Sequence, residues 1–524
     1  MTHRSVKKLI YFGGTLVLLL LVAVVLLLSD RSQAVKVTIS KATTYITSPL
    51  RADGYPDYVA FVNQQARLGA TPENNAVVLL WQAFGPSKLE DEAEEFCRKL
   101  GIATLPQKGH YFIRFEDELQ RLESEMSPSE AEIFDDDQSP NLERAQQRPW
   151  SKTELPHVAA WLEANEEPLA LFIAGSQRDH YYNPIVAGES YLLYLDLGQS
   201  AREALTAAEA LTARAMLRVS EGQTVAAWDD LMACHRWARL MRQGPTTVDA
   251  YFGSTITRTT SHASVTLLQH SHLALNAVAR MRDDLAALIP PGSLVDLTLA
   301  FDRLTLLDAA NQGAREEAKA FGSNKFALKA VAHVYGFDWD QVLVNCNDVC
   351  ERLTDISKLP TRREIQREYD AVVQELKQES VSADAELSSL RTIVQGRSLG
   401  TRWIYAELCS LMLPAVGSAR VAEDLAAMHF ELLQTALALE QYRLDRGEYP
   451  AELAELVPDY LPAVFPDRFA AGPLIYQRQA AGYLMYSLGA NERDDGGRGH
   501  NDSREGQEYD DLVVRMPAKK PATP

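Results

Sequence analysis

From Leu9 to Leu28 the chain carries no charged residue and is dominated by leucine and valine. A helix rises about 1.5 Å per residue, so this run is long enough to cross the roughly 30 Å hydrocarbon core of a bilayer. Arg4, Lys7 and Lys8 precede it, which predicts a cytoplasmic N-terminus and an extracytoplasmic bulk. Ser32-Gln33-Ala34 has the small-residue spacing of a signal-peptide cleavage site. The apolar part of a cleaved signal spans only about 7–15 residues, however, so the expectation is an uncleaved single-pass anchor with Leu9–Leu28 in the lipid bilayer.

Past the anchor, Val35, Val37 and Ile39 alternate with polar residues, a strand pattern. Asp57 opens a predicted helix. Another is expected at Thr71-Pro72-Glu73-Asn74-Asn75, with Thr71 at the cap, Pro72 in the first turn and the apolar run Ala76 to Ala83 behind them, until Gly85-Pro86 stops it. The acidic stretch from Glu116 to Trp150, which includes Asp135-Asp136-Asp137, reads as a long loop. Helices resume at Leu155 and Pro168.

From Ala201 to Pro414 the helical period persists almost throughout. Ala201–Val219 and Thr224–Arg242 form a hairpin around Ser220-Glu221-Gly222, with Trp228, Leu231, Met232, His235 and Ala238 on one face of the return helix. A single such unit is not a solenoid, which needs about three repeats to bury its faces, so irregular stacked helices are expected. They cover Val248–His272, Leu275–Leu288, Leu294–Lys319, Phe326–Val334, Trp339–Leu353, Arg362–Val381 and Ala383–Leu413.

The last hundred residues change character. A helix over Val421–Arg446 carries the stripe Leu425, Met428, Leu432, Ala436, Leu439 and Tyr442, and Gly447 caps it. Leu474–Arg478 and Tyr483–Ser487 read as strands in a tight hairpin, and Asp511–Val514 as a third. The fold class predicted is therefore mainly α: an N-terminal transmembrane helix, an irregular stacked-helix middle region, and a C-terminal α+β domain with a long helix on a small antiparallel sheet. The expected divisions are 1–30 (N-terminus and anchor), 31–200 (mostly helical, with the acidic loop), 201–418 (helical), 419–516 (α+β) and 517–524 (a disordered tail).

Charge narrows the functions. At 524 residues and a formal charge of −19, with no basic stripe carrying interleaved aromatics, a nucleic-acid partner is not expected. Five cysteines, an odd count without zinc-ligand spacing, read as small buried hydrophobes. There is no Walker A loop, no Gly-x-Gly-x-x-Gly after a strand, no His-Glu-x-x-His and no Gly-x-Ser-x-Gly. Gly175–Tyr182 gathers Ser176, Asp179 and His180, but triads are assembled from distant parts of a chain, and the segment reads as a helix end that packs its tyrosines. No catalytic residues are assigned.

The strongest chemical signal lies between the last two strands. Tyr442-Arg443-Leu444-Asp445-x-Gly447-x-Tyr449-Pro450, then Tyr486-Ser487-x-Gly489-Ala490, then a Gly-rich acidic loop before Asp511-Leu512 follow one another in order. Together they resemble the head domain of the major pseudopilin of type II secretion systems (protein G-like). The resemblance covers about the last hundred residues and implies a calcium-binding loop. Asn491 stands where that family usually has Asp; Asp494, Asp495, Asp502 and Asp511 supply carboxylates and the Leu488 carbonyl a backbone ligand. Calcium takes six to eight hard oxygens, and Gly496, Gly497 and Gly499 would let the backbone curl round an ion. No Glu follows Gly14 at the fifth position, as prepilin processing would require, so pilus assembly is not implied. The preceding region resembles the opening of uncharacterised membrane-anchored bacterial envelope proteins, through Tyr55-Pro56-Asp57-Tyr58 and Thr71–Asn75.

These features point to a membrane-anchored extracytoplasmic scaffold or protein-interaction protein, partnered by other envelope proteins, with structural calcium in its last domain. An extracytoplasmic hydrolase with a site in the helical middle region, or a component of a secretion machine, are the alternatives.

Overall fold

The computed structural model describes residues 36–124, 126, 141–187, 191–315, 337–387, 392–470, 472–502 and 508–518. The predicted anchor, the Asp135–Asp137 run, the helix expected over Phe326–Val334 and most of the C-terminal tail lie outside them. Among the described residues no helix is long and apolar enough to cross a membrane.

The chain is mainly helical, with one small antiparallel sheet near its C-terminus. In order the helices are α1 Tyr58–Ala66, α2 Ala76–Phe84, α3 Ala93–Leu100, α4 Phe115–Glu123, α5 Asn141–Gln147, α6 Pro156–Ala164, α7 Glu166–Gly175, α8 Gln199–Ser220, α9 Thr224–Met241 and α10 Thr247–His270. There follow α11 Leu275–Ala286, α12 Leu294–Arg315, α13 Trp339–Ser357, α14 Arg362–Leu387 and α15 Thr392–Arg446. Strands β1 Ile475–Gln479, β2 Gly482–Ser487 and β3 Leu512–Met516 form a meander in the order β1-β2-β3, with Tyr476 opposite Met485 and Met485 opposite Val514.

Several local expectations need correction. Residues 36–39 form no strand; the Thr38 N–H and hydroxyl instead donate to the Asp340 carboxylate at 2.8 and 2.6 Å. Alternation marks a strand only where a partner edge exists, and no neighbouring strand offers one among the described residues. The cap of α2 is Asn75 rather than Thr71: its Oδ1 accepts from the Val77 N–H, and its side chain also exchanges bonds with both backbone groups of Tyr182. Helices α4 and α5 occupy parts of the stretch read as loop. Finally, α15 runs through Pro414, where the sequence suggests two helices. A proline inside a helix removes one hydrogen bond and costs about 3 kcal/mol. Burial of Cys409, Leu413, Val416 and Ala419 around it opposes that cost.

By contacts the chain divides into two compact units, each assembled from separated stretches. One gathers the segment ending at Phe61 with Ala187–Leu195 and Leu299–Val416. Polar ties hold it together: Tyr58, fully buried, donates its hydroxyl to the Thr44 carbonyl (2.9 Å), and the Leu192 N–H donates to Asp308 (2.8 Å). The Asn347 amide spans to the Thr43 carbonyl at 2.7 Å.

The other unit comprises Val62–Val186, Asp196–Thr298 and the stretch beginning at Gly417. At its centre are α8, α9 and α10, where alanines of α8 (Ala201, Ala204, Ala208 and Ala215) let neighbouring helices approach closely. Trp237 stacks on Phe172 with ring centroids 4.6 Å apart and donates its indole N–H to the Phe172 carbonyl. Asp230, 1 % exposed, takes two bonds from Arg214 and one from Arg218. The second half of α15 belongs to the same apolar core: Met428, Leu432, Leu433, Ala436, Leu437 and Leu439 cluster with the α8–α11 side chains and with Tyr483, Met485 and Val514 of the sheet. The sheet therefore sits on a core far larger than its own.

Candidate cation loop

The candidate site is the connection from β2 to β3. Ser487 ends β2 and Leu512 opens β3, so both ends of the loop are fixed by the sheet. Its entry is held by a residue twenty positions earlier. Asp467, 4 % exposed, accepts the Ser487 hydroxyl (2.8 Å), the Leu488 N–H (2.9 Å) and the Phe469 N–H (2.9 Å). Glycine is required at the next position: Gly489 has φ +68°, and a Cβ there would lie 2.2 Å from the Asp510 carbonyl oxygen. Gly496 and Gly497 follow with φ of +71° and +69°, turning two successive amides toward the acidic side chains.

Each sequence-predicted residue can be placed. Asn491 Oδ1 accepts the Arg493 N–H (2.6 Å), and its amide donates to Asp495 Oδ2 (3.2 Å). Asp494 Oδ1 accepts from the Tyr486 hydroxyl (3.0 Å) and the Gly496 N–H (2.8 Å). Asp511, 3 % exposed, accepts the Gly497 N–H at 2.8 Å and the Asp495 N–H at 3.4 Å. Asp502 accepts the Gly499 N–H at 3.3 Å, and the Leu488 amide is turned onto Asp467. The fold thus links Asn491, Asp495 and Asp511 by hydrogen bonds, ties Asp494 to Tyr486 and Gly496, and gives Asp502 a local turn to close.

Two contributors escape the sequence. Asp510 accepts the Asn491 N–H (2.9 Å), while its Oδ1 is buried without a hydrogen-bond partner among the described residues. Asp467 is the other; the bridge between Pro466 and Pro473 and the bond from its N–H to the Gly472 carbonyl (2.9 Å) hold it in the turn before β1. Neither lies in a periodic segment; Asp510 could have been found as the neighbour of a predicted ligand, whereas nothing near Asp467 signals its role.

The electrostatics are those of crowded carboxylates. Burial pushes the Asp511 carboxyl up to about 6, against the bonds it accepts from Gly497 and Asp495, and the charges of Asp495 and Asp494 add to the rise. Burial raises Asp510 as well, followed by the charge of Asp495. Three cationic or aromatic neighbours frame the loop: Arg498 donates to the Asp495 carbonyl (2.6 Å) and lies over the Tyr509 ring, and Arg515 donates to the Gly497 carbonyl (2.6 Å). The donor set consists of hard oxygens, the chemistry calcium takes. In the arrangement described, those oxygens accept backbone amides. Among the described residues no three carboxylate, imidazole or thiol groups converge as a ready metal cage.

Elsewhere, other candidate chemistry resolves into structure. The Gly175–Tyr182 segment ends α7; Ser176 donates its hydroxyl to the Ile173 carbonyl, and Tyr181 and Tyr182 are buried. Tyr181 and Asn183 both donate to Asp249 Oδ1, at 2.7 and 3.1 Å, and Thr246 donates to its Oδ2. His235 shares a bond with Ser264, and burial pushes it down to about 3, so it is neutral. An open cleft of about 550 Å³ between α13 and α14 is lined by Arg352, Asp355, Glu364, Arg367 and Glu368. Neither a family model, nor a characterised protein, nor a solved structure matches this chain.

Proposed function

We propose that this protein is a single-pass, membrane-anchored scaffold or interaction protein of the cell envelope, with a C-terminal region of pseudopilin-head type stabilised by calcium. The observation that carries the reading is the acidic β2–β3 loop. Asn491, Asp494, Asp495, Asp510 and Asp511 lie within a glycine-turned loop fixed at both ends by a sheet, and empty of cations the charges of the aspartates repel. A calcium ion would neutralise them and replace several of their bonds to backbone amides. The charge-free run Leu9–Leu28, with Arg4, Lys7 and Lys8 before it, supports the anchor and its orientation.

The test is calorimetric titration of the full chain, in mild detergent, with calcium and with magnesium. Extracellular calcium modules commonly bind with dissociation constants of about 10⁻⁴–10⁻³ M, and binding in that range or tighter is expected, with magnesium weaker. Because Asp511 holds its proton up to about pH 6, uptake of calcium should release protons and weaken below that pH. Replacing Asp494, Asp495 and Asp511 together by Ala should abolish the heat. An unchanged heat in that variant, or none in the parent, would overturn the calcium reading.

A further inference from the structure

Two cysteines that lie far apart in sequence are brought together by the fold. Cys346 on α13 and Cys409 on α15 lie 63 positions apart, yet their sulfurs are 3.9 Å from each other, with the Cys409 thiol donating to Cys346 Sγ. Both are buried, at 0 and 1 % exposure. The same two helices are tied at a second point: the Asp338 N–H at the α13 cap donates to the Thr401 hydroxyl of α15 at 3.0 Å. The approach of the sulfurs therefore sits within a fixed pair of elements.

We infer that Cys346 and Cys409 are a disulfide pair, closed by exchange with a small or protein disulfide while α13 and α15 are still coming together. A disulfide needs Cβ atoms about 3.5–4.5 Å apart and sulfurs about 2.05 Å apart, so the sulfurs have about 2 Å left to close, within the reach of side-chain rotation. Cys350, one turn further along α13, is the obvious competitor. Positions i and i+4 on a helix hold their Cβ atoms about 5–6 Å apart, too far for a bond between Cys346 and Cys350. Cys97 and Cys234 are buried in the other compact unit.

The exchange balances without further reagents. One cysteine, as thiolate, attacks a sulfur of the oxidant, whose S–S bond breaks and releases its first half as a thiol. The second cysteine attacks the protein sulfur of the mixed disulfide; the Cys346–Cys409 bond forms and the second half leaves as a thiol. Two electrons pass from the protein to the oxidant, and the two cysteine protons end on the released thiols. The folded state is a poor place to begin, since a hydrogen bond with Cys409 and burial hold the Cys346 thiol far above its ordinary range. Closure thus belongs to folding, and the finished bond is shielded from reductants. An extracytoplasmic bulk would meet such oxidants, but the geometry of the pair does not depend on that reading.

To test it, the reduced full chain is unfolded in urea and refolded in mild detergent with a mixture of reduced and oxidised glutathione. Free thiols are then alkylated without reduction and the peptides mapped. The expected result is a Cys346–Cys409 link, with Cys97, Cys234 and Cys350 alkylated. Cys350→Ala should leave the link intact. Five alkylated cysteines, a bond through any other pair, or a link that vanishes in the Cys350→Ala chain would overturn the assignment.

Discussion

Asp467 is the residue whose removal should disturb the candidate loop most while leaving every one of its carboxylates in place. In Asp467→Ala the Phe469 and Leu488 amides lose their acceptor and the Ser487 hydroxyl loses a partner. A buried donor left without an acceptor costs about 1–3 kcal/mol. The Phe469 amide is buried and counts near 2; the Leu488 amide is only partly buried, so water solvates it and it counts near 1. Ser487 can rotate to a new acceptor and adds little. Relief of a buried charge offsets part of the loss, which leaves about 2 kcal/mol. At about 2.1 cal/mol/K per residue, a unit of more than 300 residues shifts by roughly 1–2 °C per kcal/mol, so the melting temperature should fall by about 2–4 °C. Asp467→Asn keeps the shape and one acceptor oxygen, but turns an amide N–H₂ toward one of the donors; about half the loss is expected. The assay is thermal melting of the full chain in mild detergent, with and without calcium, with exposed Asp459→Ala as control. If Asp467→Ala melts within about 1 °C of the parent, the loop entry is not held as described. Calcium affinity at the proposed site is expected to fall in the same variant.

Alkaline phosphatase fused after Met516 is expected to be active; an inactive fusion, with a cytoplasmic reporter active at the same point, would reverse the orientation argued from Arg4, Lys7 and Lys8. Burial pushes Asp249 up to about 6, above its unfolded value near 4, so its contribution to stability is full below about pH 4 and is lost as pH rises through 6. A rise of that size corresponds to on the order of 2–3 kcal/mol. Urea midpoints measured between pH 4 and 7 should therefore show the parent losing ground relative to Asp249→Asn as pH rises; a constant difference would refute the assignment.

Helix periodicity was the most legible part of the sequence. The α8–α9 hairpin, the extents of α10, α11 and α13, and the three short strands lie within a few residues of their sequence limits, because each carries both an apolar period and a turn or cap at its ends. What local pattern could not supply was partnership. The stripe on the second half of α15 predicted one buried face, whereas Leu433, Leu437 and Ala438, off that stripe, are also fully buried, since the helix enters a core built mainly by residues 76–285. Similarly, Val37 and Ile39 have no strand to pair with among the described residues, and Asn75 outcompetes Thr71 as a cap because Tyr182 arrives to bond it. In the loop, the carboxylates were legible as composition. Their support by Asp467 was not, because it depends on the turn that bridges Pro466 and Pro473.

The interleaved core also imposes an order in time. Helices α2 to α11 are synthesised long before Met428, Leu432, Leu437 and Met485, which fill the same apolar cluster. A growing chain therefore exposes an unfinished hydrophobic surface until its final hundred residues emerge. That interval is when aggregation competes with folding, and it is longest for contacts far apart in sequence. For this protein, maturation begins as a waiting period, and the C-terminal segment is the last component needed to end it.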